Sequence, residues 1–541
     1  MSRILVLGGY GGFGGRIARR LASAGHDVLV AGRSLAKAQA FCADKPRLTP
    51  IAIDRASVAT ALSEHRPALL VDASGPFQTL DHMVPAACIE AGIHYVDIAD
   101  AREFVCDIAK LDAAAKAAGV AVISGASSVP ALSGAVVRRL AYGFEDVRAI
   151  DMAISASNRA TAGPAVAGAI LAQIGQPLKL WRGRRWTERS GWQELRREHF
   201  AVAGDRPLGF RLAALVDVPD HGLLPDGLPG RPAVTFRAGT ELGFQTFMLW
   251  LASWLVRWNL LSSLAPMARL LRPLQGLTGW VGSDRSAMIV RLFGIIDGKR
   301  VERRWTLIAS KGDGPEIPAL SVPPLVSRIL DGLEPAGARD AGSSLDLADY
   351  QPAFDGLAIR HEVTEHILPA SLYARVMGAR FAQLPHAVRA MHEALRDGGA
   401  SGFAEVNGPT NILTAAIASV IGFPRAGTHE LHVAFEERDG AETWTRAFGG
   451  KSFRSRLNQR GDLLVERFGA FRFGFDLPSD EDGLTMVMRR WWIGPFRLPL
   501  ALAPRSLARE WEENGRFHFD VPIALPILGR VVHYRGQLQK T

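Results

Sequence analysis

The first 34 residues combine a strand, a glycine-rich turn, a helix and a second strand in close succession. The apolar run 4–7 leads into the turn, a helical pattern covers 16–24, and a second apolar run covers 28–31. Three glycines have the spacing G-x-G-x-x-G: Gly9, Gly11 and Gly14. Because this spacing stands between a strand and a helix, it predicts a dinucleotide-binding turn.

Each of these three positions requires glycine for a physical reason. Gly9 allows the tight turn, Gly11 lets the backbone approach a pyrophosphate, and Gly14 lets the helix pack close to the strand. The free amides at the helix N-terminus then bind the diphosphate, and the helix dipole favours its negative charge. We therefore expect the cofactor to contact six residues of the turn: Gly8, Gly9, Gly11, Gly12, Phe13 and Gly14.

The end of the second strand indicates which dinucleotide binds. NAD-binding units usually place an acidic residue there to bind the ribose 2′-hydroxyl group. This strand instead ends at Gly32, Arg33 and Ser34, without a carboxylate. A guanidinium and a hydroxyl group suit the 2′-phosphate of NADP(H), which we predict as the cofactor. The alternative is that Arg33 is an ordinary solvated arginine.

Further short apolar runs alternate with helical patterns up to residue 123. The predicted strands are 51–54, 69–73, 94–98 and 120–123. This alternation predicts a doubly wound parallel sheet of the Rossmann type, with ligands at the carboxyl ends of its strands. Asp54 lies at one such end, where it either contacts the adenine half of the cofactor or caps the strand. Ser74, Gly75 and Pro76 lie at another, on the path to the nicotinamide.

Hydride transfer to a substrate also calls for a positioned proton donor. Tyr95 and Asp97 lie near the carboxyl end of the strand at 94–98, where such a donor belongs. We predict these two as catalytic candidates. A structural role at the strand end is the alternative for either residue.

A chain of 541 residues is too long for one core and predicts several domains. We predict a Rossmann domain at 1–130, an α+β cap domain at 131–350, and a mostly antiparallel β domain with helices at 360–541. The segment 244–258 is unusually apolar, and Trp250, Trp254 and Trp258 form one helical stripe. It is too short to span a bilayer. Burial, contact with a membrane surface and lining of an apolar pocket remain open for it.

Charge and cysteine content restrict the class of protein. The net charge is +9, and a basic run predicts a solvated loop: Lys179, Arg182, Arg184, Arg185, Arg189, Arg196 and Arg197. Contact of this run with anionic lipid, nucleic acid or an acidic substrate is the alternative. No nucleic-acid-binding motif accompanies the run, so we expect no nucleic-acid partner. The three cysteines have no C-x-x-C spacing, which predicts neither a disulfide framework nor a metal site. With no signal peptide in the sequence, we expect a cytoplasmic protein, with membrane association left open.

Several segments resemble the saccharopine dehydrogenase-like oxidoreductases. They are GGYGGFGGRIARRLA, VLVAGRS, VDASGPFQ, CIEAGIHYVDIAD and ISGASSVPALSGAVV. Three later segments, WTRAFGG, ERFG and GRFHFDV, resemble DUF4166, a domain of unknown function. The resemblance implies an NADP-binding fold and hydride transfer. The chain departs from the family pattern at Ala126-Ser127 and Ala99-Asp100, both near the expected active cleft.

Two functions therefore remain. The first is an NADP(H)-dependent oxidoreductase that acts on a carbonyl, imine or enoyl group of an apolar small molecule, because the tryptophan stripe and the aromatic C-terminal strands favour such a substrate. The second is a non-catalytic NADPH-binding sensor, or a lipid- or ligand-binding protein acting through its C-terminal domain. A homodimer is also expected.

Overall fold

The computed structural model describes residues 2–159, 164–267 and 280–541. The first sheet is parallel and has seven strands in the order β15-β6-β5-β4-β1-β2-β3. Its first six strands are β1 Arg3–Leu7, β2 Asp27–Gly32, β3 Leu48–Ala52, β4 Leu69–Asp72, β5 His94–Asp97 and β6 Ala121–Ser124. The accompanying helices are α1 Gly12–Ser23, α2 Leu35–Cys42, α3 Val58–His65, α4 Met83–Glu90, α5 Arg102–Asp107 and α6 Asp112–Ala118.

The second sheet is mixed, with the order β10-β11-β12-β7-β13-β14-β16. The strands of this region are β7 Asp146–Ala156, β8 Pro177–Arg182, β9 Arg185–Ser190, β10 Arg196–Phe200, β11 Gly209–Leu215, β12 Ala233–Thr240, β13 Ser286–Ile296, β14 Lys299–Ala309, β15 Gly337–Asp340 and β16 Ile359–Ile367. Its helices are α7 Ser133–Ala141, α8 Pro164–Gln173, α9 Asp220–Gly227, α10 Gly243–Arg257, α11 Val322–Leu330 and α12 Gln351–Asp355. Strand β15 leaves this region and extends the first sheet beside β6.

The C-terminal part is an antiparallel barrel. Its strands are β17 Asp397–Asn407, β18 Gly427–Arg438, β19 Ala441–Phe448, β20 Lys451–Arg460, β21 Leu463–Phe468, β22 Phe471–Asp476, β23 Gly483–Ile493, β24 Phe496–Leu498, β25 Leu507–Glu513, β26 Arg516–Leu525 and β27 Gly529–Lys540. Pairing of β22 with β23 closes ten of these strands into a ring, and β24 pairs with the last residues of β23. Three helices accompany them: α13 Leu372–Met377, α14 His386–Met391 and α15 Ile412–Ile421.

The predicted fold class is confirmed in its three parts: a parallel Rossmann-type sheet, a central α+β region and an antiparallel C-terminal domain. One large apolar core joins the first two sheets, and a separate core fills the barrel. The first sheet is covered by helices on both faces, which is why its strands are almost continuously apolar. The predicted domain boundaries stay predictions.

Several local predictions differ from the structure. The sequence of residues 371–395 is typical of a helix, but the structure forms α13 and α14 as separate short helices, because a 3-10 helix at Gly378–Gln383 and then Pro385 intervene. The third strand ends at Ala52, before Asp54. The basic run is not a solvated loop: β8 and β9 pair as a two-stranded ribbon and β10 joins the central sheet.

Helix α10 is apolar on the side that faces solvent. Five of its apolar residues and the flanking Trp258 are exposed: Phe244, Phe247, Met248, Leu251, Leu255 and Trp258. Its buried residues are Thr246, Ser253 and Val256. The tryptophan stripe is present, with ring centroids 6.0 Å apart for Trp250–Trp254 and 5.3 Å for Trp254–Trp258. The burial alternative is therefore wrong, whereas membrane contact and pocket lining stay predictions. No helix in the described ranges has the length and apolarity needed to cross a bilayer.

Candidate functional site

The glycine turn lies between the carboxyl end of β1 and the N-terminus of α1. Gly8 has φ +75°, in the left-handed region that favours glycine. A Cβ atom on Gly14 would lie 2.2 Å from the Gly8 carbonyl oxygen, and one on Gly9 would lie 2.7 Å from that of Val6. Gly11 is the N-cap of α1 and has no side chain to occupy the first-turn amides. These constraints produce an open backbone cradle of the kind that binds a diphosphate.

The end of β2 is held against this turn by Tyr10. The Tyr10 hydroxyl oxygen accepts a hydrogen bond from the Ser34 amide at 3.0 Å, and its ring lies over Gly32. Ser34 is also the N-cap of α2, where its hydroxyl oxygen accepts from the Lys37 amide at 3.4 Å. Arg33 is exposed and forms no ion pair within the described ranges. The turn, Arg33 and Ser34 thus lie together at the carboxyl ends of β1 and β2, and their contact with a cofactor stays a prediction.

Asp54 caps a short helix, and a capping role was one of the two alternatives that the sequence left open. Its carboxylate accepts a hydrogen bond from the Ala56 amide at 3.0 Å, at the start of a short 3-10 helix. The neighbouring Arg55 donates through Nη1 to Asp72 Oδ2 at 2.6 Å and to Ser74 Oγ at 2.9 Å. Contact of Asp54 with adenine stays a prediction.

The predicted loop Ser74–Pro76 is anchored by Asp72, which the sequence did not single out. Asp72 is fully buried, and its Oδ1 accepts from the Ser74 amide at 2.9 Å and from the Ser74 hydroxyl at 2.6 Å. The Nε and Nη2 atoms of Arg55 are also buried, and neither has a hydrogen-bond partner among the described residues. Strand-end carboxylates are common, so only the structure distinguishes Asp72 as the residue that holds this loop.

The two candidate proton donors lie deeper than the sequence indicated. Tyr95 is fully buried among apolar side chains, and its hydroxyl group has no partner in the described part of the chain. Asp97 is also fully buried, and its Oδ1 accepts from the amides of Ala99 at 2.9 Å and Gly125 at 2.8 Å. Burial raises the pKa of Asp97 to about 7, although these hydrogen bonds favour its charged form. The contacts of Asp97 are therefore those of a residue with a structural role at the end of its strand. The catalytic role of Tyr95 and Asp97 stays a prediction.

A polar contact joins α5 to the central region beside this edge. Arg102 Nη1 donates to Asp217 Oδ1 at 3.3 Å, and His221 Nδ1 lies 3.2 Å from the same oxygen. The other ring nitrogen of His221 accepts from the Phe236 amide at 3.1 Å. Its Nδ1 is therefore the protonated nitrogen and donates to Asp217, while burial lowers the pKa of His221 and keeps the ring neutral. Asp217 and His221 are four residues apart, but Arg102 is 115 residues from Asp217 and the three belong to no motif, so no sequence pattern pointed to them.

Two family models match separate parts of the chain. Residues 4–123 match the saccharopine dehydrogenase NADP binding domain, and residues 384–538 match a domain of unknown function, DUF4166. Both parts of the predicted resemblance are thereby confirmed. The first match identifies a nicotinamide-dinucleotide-binding domain and supports an oxidoreductase. No curated protein sequence matches the chain.

Solved structures similar to this chain include two dehydrogenases. Saccharopine dehydrogenase (L-Glu forming) from Saccharomyces cerevisiae is 13% identical, with a TM-score of 0.44, and the match covers 67% of this chain and 100% of that one. Amine dehydrogenase from Mycobacterium smegmatis is also 13% identical, with a TM-score of 0.34 and coverage of 63% and 95%. These values indicate distant similarity.

Proposed function

We propose that this chain is an NADP(H)-dependent oxidoreductase that transfers hydride to a carbonyl, imine or enoyl group of an apolar small molecule. The observation that carries the proposal is the open glycine cradle beside Arg33 and Ser34. The bound cofactor would supply the hydride, and the chain would bind, orient and shield the reactants.

Each part of the cofactor has residues suited to it. The first-turn amides of α1 would bind the diphosphate, and the cradle has no room for a Cβ atom at Gly14. Arg33 and the N-terminus of α2 at Ser34 would bind the 2′-phosphate. Ser74, Gly75 and Pro76, held through Asp72, would line the path to the nicotinamide.

The cofactor assignment is tested by fluorescence titration with NADPH and NADH. Arg33→Ala should weaken NADPH binding by roughly tenfold or more and leave NADH binding unchanged, because it removes a charge-assisted contact to the 2′-phosphate alone. Arg139→Ala is a matched control, since it removes an exposed arginine of α7, outside the glycine turn and α2. Equal losses for NADPH and NADH in Arg33→Ala would contradict the assignment.

The apolar substrate class is proposed from the exposed apolar face of α10 and the aromatic residues of the barrel. NADPH oxidation should be measured with apolar enones and ketones, and with 2-oxo acids plus amines. We expect turnover with the apolar compounds. Turnover confined to 2-oxo acids plus amines would contradict this substrate class while leaving the oxidoreductase assignment intact.

A second candidate function is a non-catalytic NADPH-binding protein. The complete burial of Tyr95 and Asp97 favours it, because neither side chain is exposed to a substrate in this conformation. Saturable NADPH binding without oxidation by any compound of the panel would support this candidate over the first.

A further inference from the structure

A cavity of about 910 Å³ lies between the central sheet and the outside of the barrel. One wall consists of β7, β12 and the β8–β9 ribbon. The opposite wall consists of β17, β18, β19 and β20. The basic run of the sequence therefore lines a gap between two domains. Small-molecule sites usually have a volume of roughly 300–1,000 Å³, which includes this one.

The central sheet separates this cavity from the predicted cofactor site. Along β7, Ile150 and Met152 pack into the core that the central sheet shares with the first sheet. Ala149 and Asp151 alternate with them and line the cavity. Because alternate residues of a strand point to opposite faces, the cavity and the Rossmann domain lie on opposite sides of the central sheet. A ligand in this cavity would therefore be distinct from the dinucleotide.

Three of the five acidic residues that line the cavity already have cationic partners, whereas Glu188 and Asp397 have no ion pair within the described ranges. Asp151 pairs with Arg396 and Arg438, and Glu194 lies 2.7 Å from Arg182. Glu436 pairs with Arg438 at 2.6 Å and with Arg196 at 3.2 Å. Burial opposes ionisation of Glu194, yet Arg182 and its neighbours lower the pKa of Glu194 to about 2. These carboxylates are charged at neutral pH and neutralise the arginines that they contact.

Four further cations at the rim have no such partner. They come from three separate elements and are exposed: Arg185, Arg257, Lys451 and Arg454. Within the described ranges, none of them has a carboxylate at ion-pair distance. Like charges that converge on one cavity repel each other, and a bound anion would relieve this repulsion.

Strand β12, which forms part of one wall, also carries a buried guanidinium. Arg237 is 1% exposed and lies 3.3 Å from Glu194, and its Nε has no hydrogen-bond partner among the described residues. Burial, followed by the nearby charge of Arg196, lowers the pKa of Arg237 to about 9. With this pKa, Arg237 stays protonated at neutral pH and adds positive charge behind the wall.

We propose that this interdomain cavity binds a phosphorylated small molecule. Guanidinium groups donate paired hydrogen bonds that match phosphate oxygens, and the rim presents three of them together with a lysine ammonium. A phosphate ester or diphosphate has the charge needed to balance the rim, and the remaining volume accommodates its organic part. This inference is independent of the proposed oxidoreductase activity.

Isothermal titration with inorganic pyrophosphate tests the site on the full-length protein at low ionic strength, with saturating NADPH present so that the glycine cradle is occupied. We expect saturable binding at one site per chain. The double variant Arg185→Gln/Arg454→Gln should weaken it by roughly tenfold or more, since each lost contact is to a charged group. Both residues are exposed and have no ion pair in the described structure, so the variant should fold. Arg497→Gln on β24 is a matched control with an exposed arginine outside the cavity, and should bind like the original protein.

Each result then has a defined consequence. NADPH affinity should be the same in all variants, so a failure of the cofactor assignment would be visible separately. Absence of saturable pyrophosphate binding, or equal affinity in the double variant, would overturn the proposal. Binding to phosphatidate-containing vesicles without binding of pyrophosphate would assign the cations to a lipid surface and would also overturn it.

Discussion

Gly14 is the single residue on which the cofactor cradle depends most directly. We expect Gly14→Ala to abolish measurable NADPH binding, because the added Cβ would lie 2.2 Å from the Gly8 carbonyl oxygen and force the backbone apart. Gly227→Ala is the control, since a Cβ there meets no atom within 4 Å. Fluorescence titration measures both. Retention of NADPH affinity in Gly14→Ala would show that the dinucleotide does not use this turn.

Asp97 should make stability depend on pH. Its pKa is about 7 in the folded chain and near 4 when exposed, so folding favours the protonated form. The contribution of protonated Asp97 to the unfolding free energy is complete below pH 4 and is lost as the pH rises to 7. Between pH 5 and 8, the original protein should lose about 2–3 kcal/mol of unfolding free energy relative to Asp97→Asn. Urea unfolding of both proteins at the two pH values measures this. A constant difference would show that Asp97 is ionised throughout.

The buried and exposed sides of helix α10 should contribute differently to stability. Buried Ser253 accepts a hydrogen bond from the Gln193 side chain at 2.6 Å. Ser253→Ala should therefore cost about 1–3 kcal/mol, because the Gln193 amide would be left buried without this acceptor. Leu251→Gln on the exposed face should change stability by less than about 0.5 kcal/mol. Urea unfolding compares them. A larger loss for Leu251→Gln would show that this face is covered in solution.

The sequence predicted best those elements whose determinants are local. The glycine turn, β2 and the barrel hairpins are specified by short patterns of glycine, apolar and turn residues. The apolar residues of α10 predicted the helix, but they did not predict which side of it faces solvent. The buried side contacts Gln193, which precedes α10 by several elements. Likewise, the joining of β15 to β6, and of Arg55 to Asp72, depends on contacts between separate segments. Such contacts leave no periodic signal in the sequence.

The two cores of the molecule meet across the charged interface around Asp151. Asp151 is 5% exposed and pairs with Arg396 and Arg438, both of which belong to the C-terminal part. Although burial opposes its ionisation, these arginines hold the pKa of Asp151 well below its usual range. Removing one partner of a buried ion pair leaves the other charge uncompensated, which is more costly than losing an exposed pair.

We therefore expect Asp151→Asn to lower the unfolding free energy by about 3–5 kcal/mol at neutral pH. Asp476→Asn, which breaks the exposed pair with Arg489, should cost less than about 1 kcal/mol. If Asp151 couples the two cores, the barrel of Asp151→Asn should unfold in a transition separate from that of the other two sheets. Calorimetry measures these transitions. Acidification should reduce the difference between Asp151→Asn and the original protein as the pH falls through the low folded pKa of Asp151. Equal effects of the two substitutions would show that the interface is solvated and that the barrel is only loosely attached.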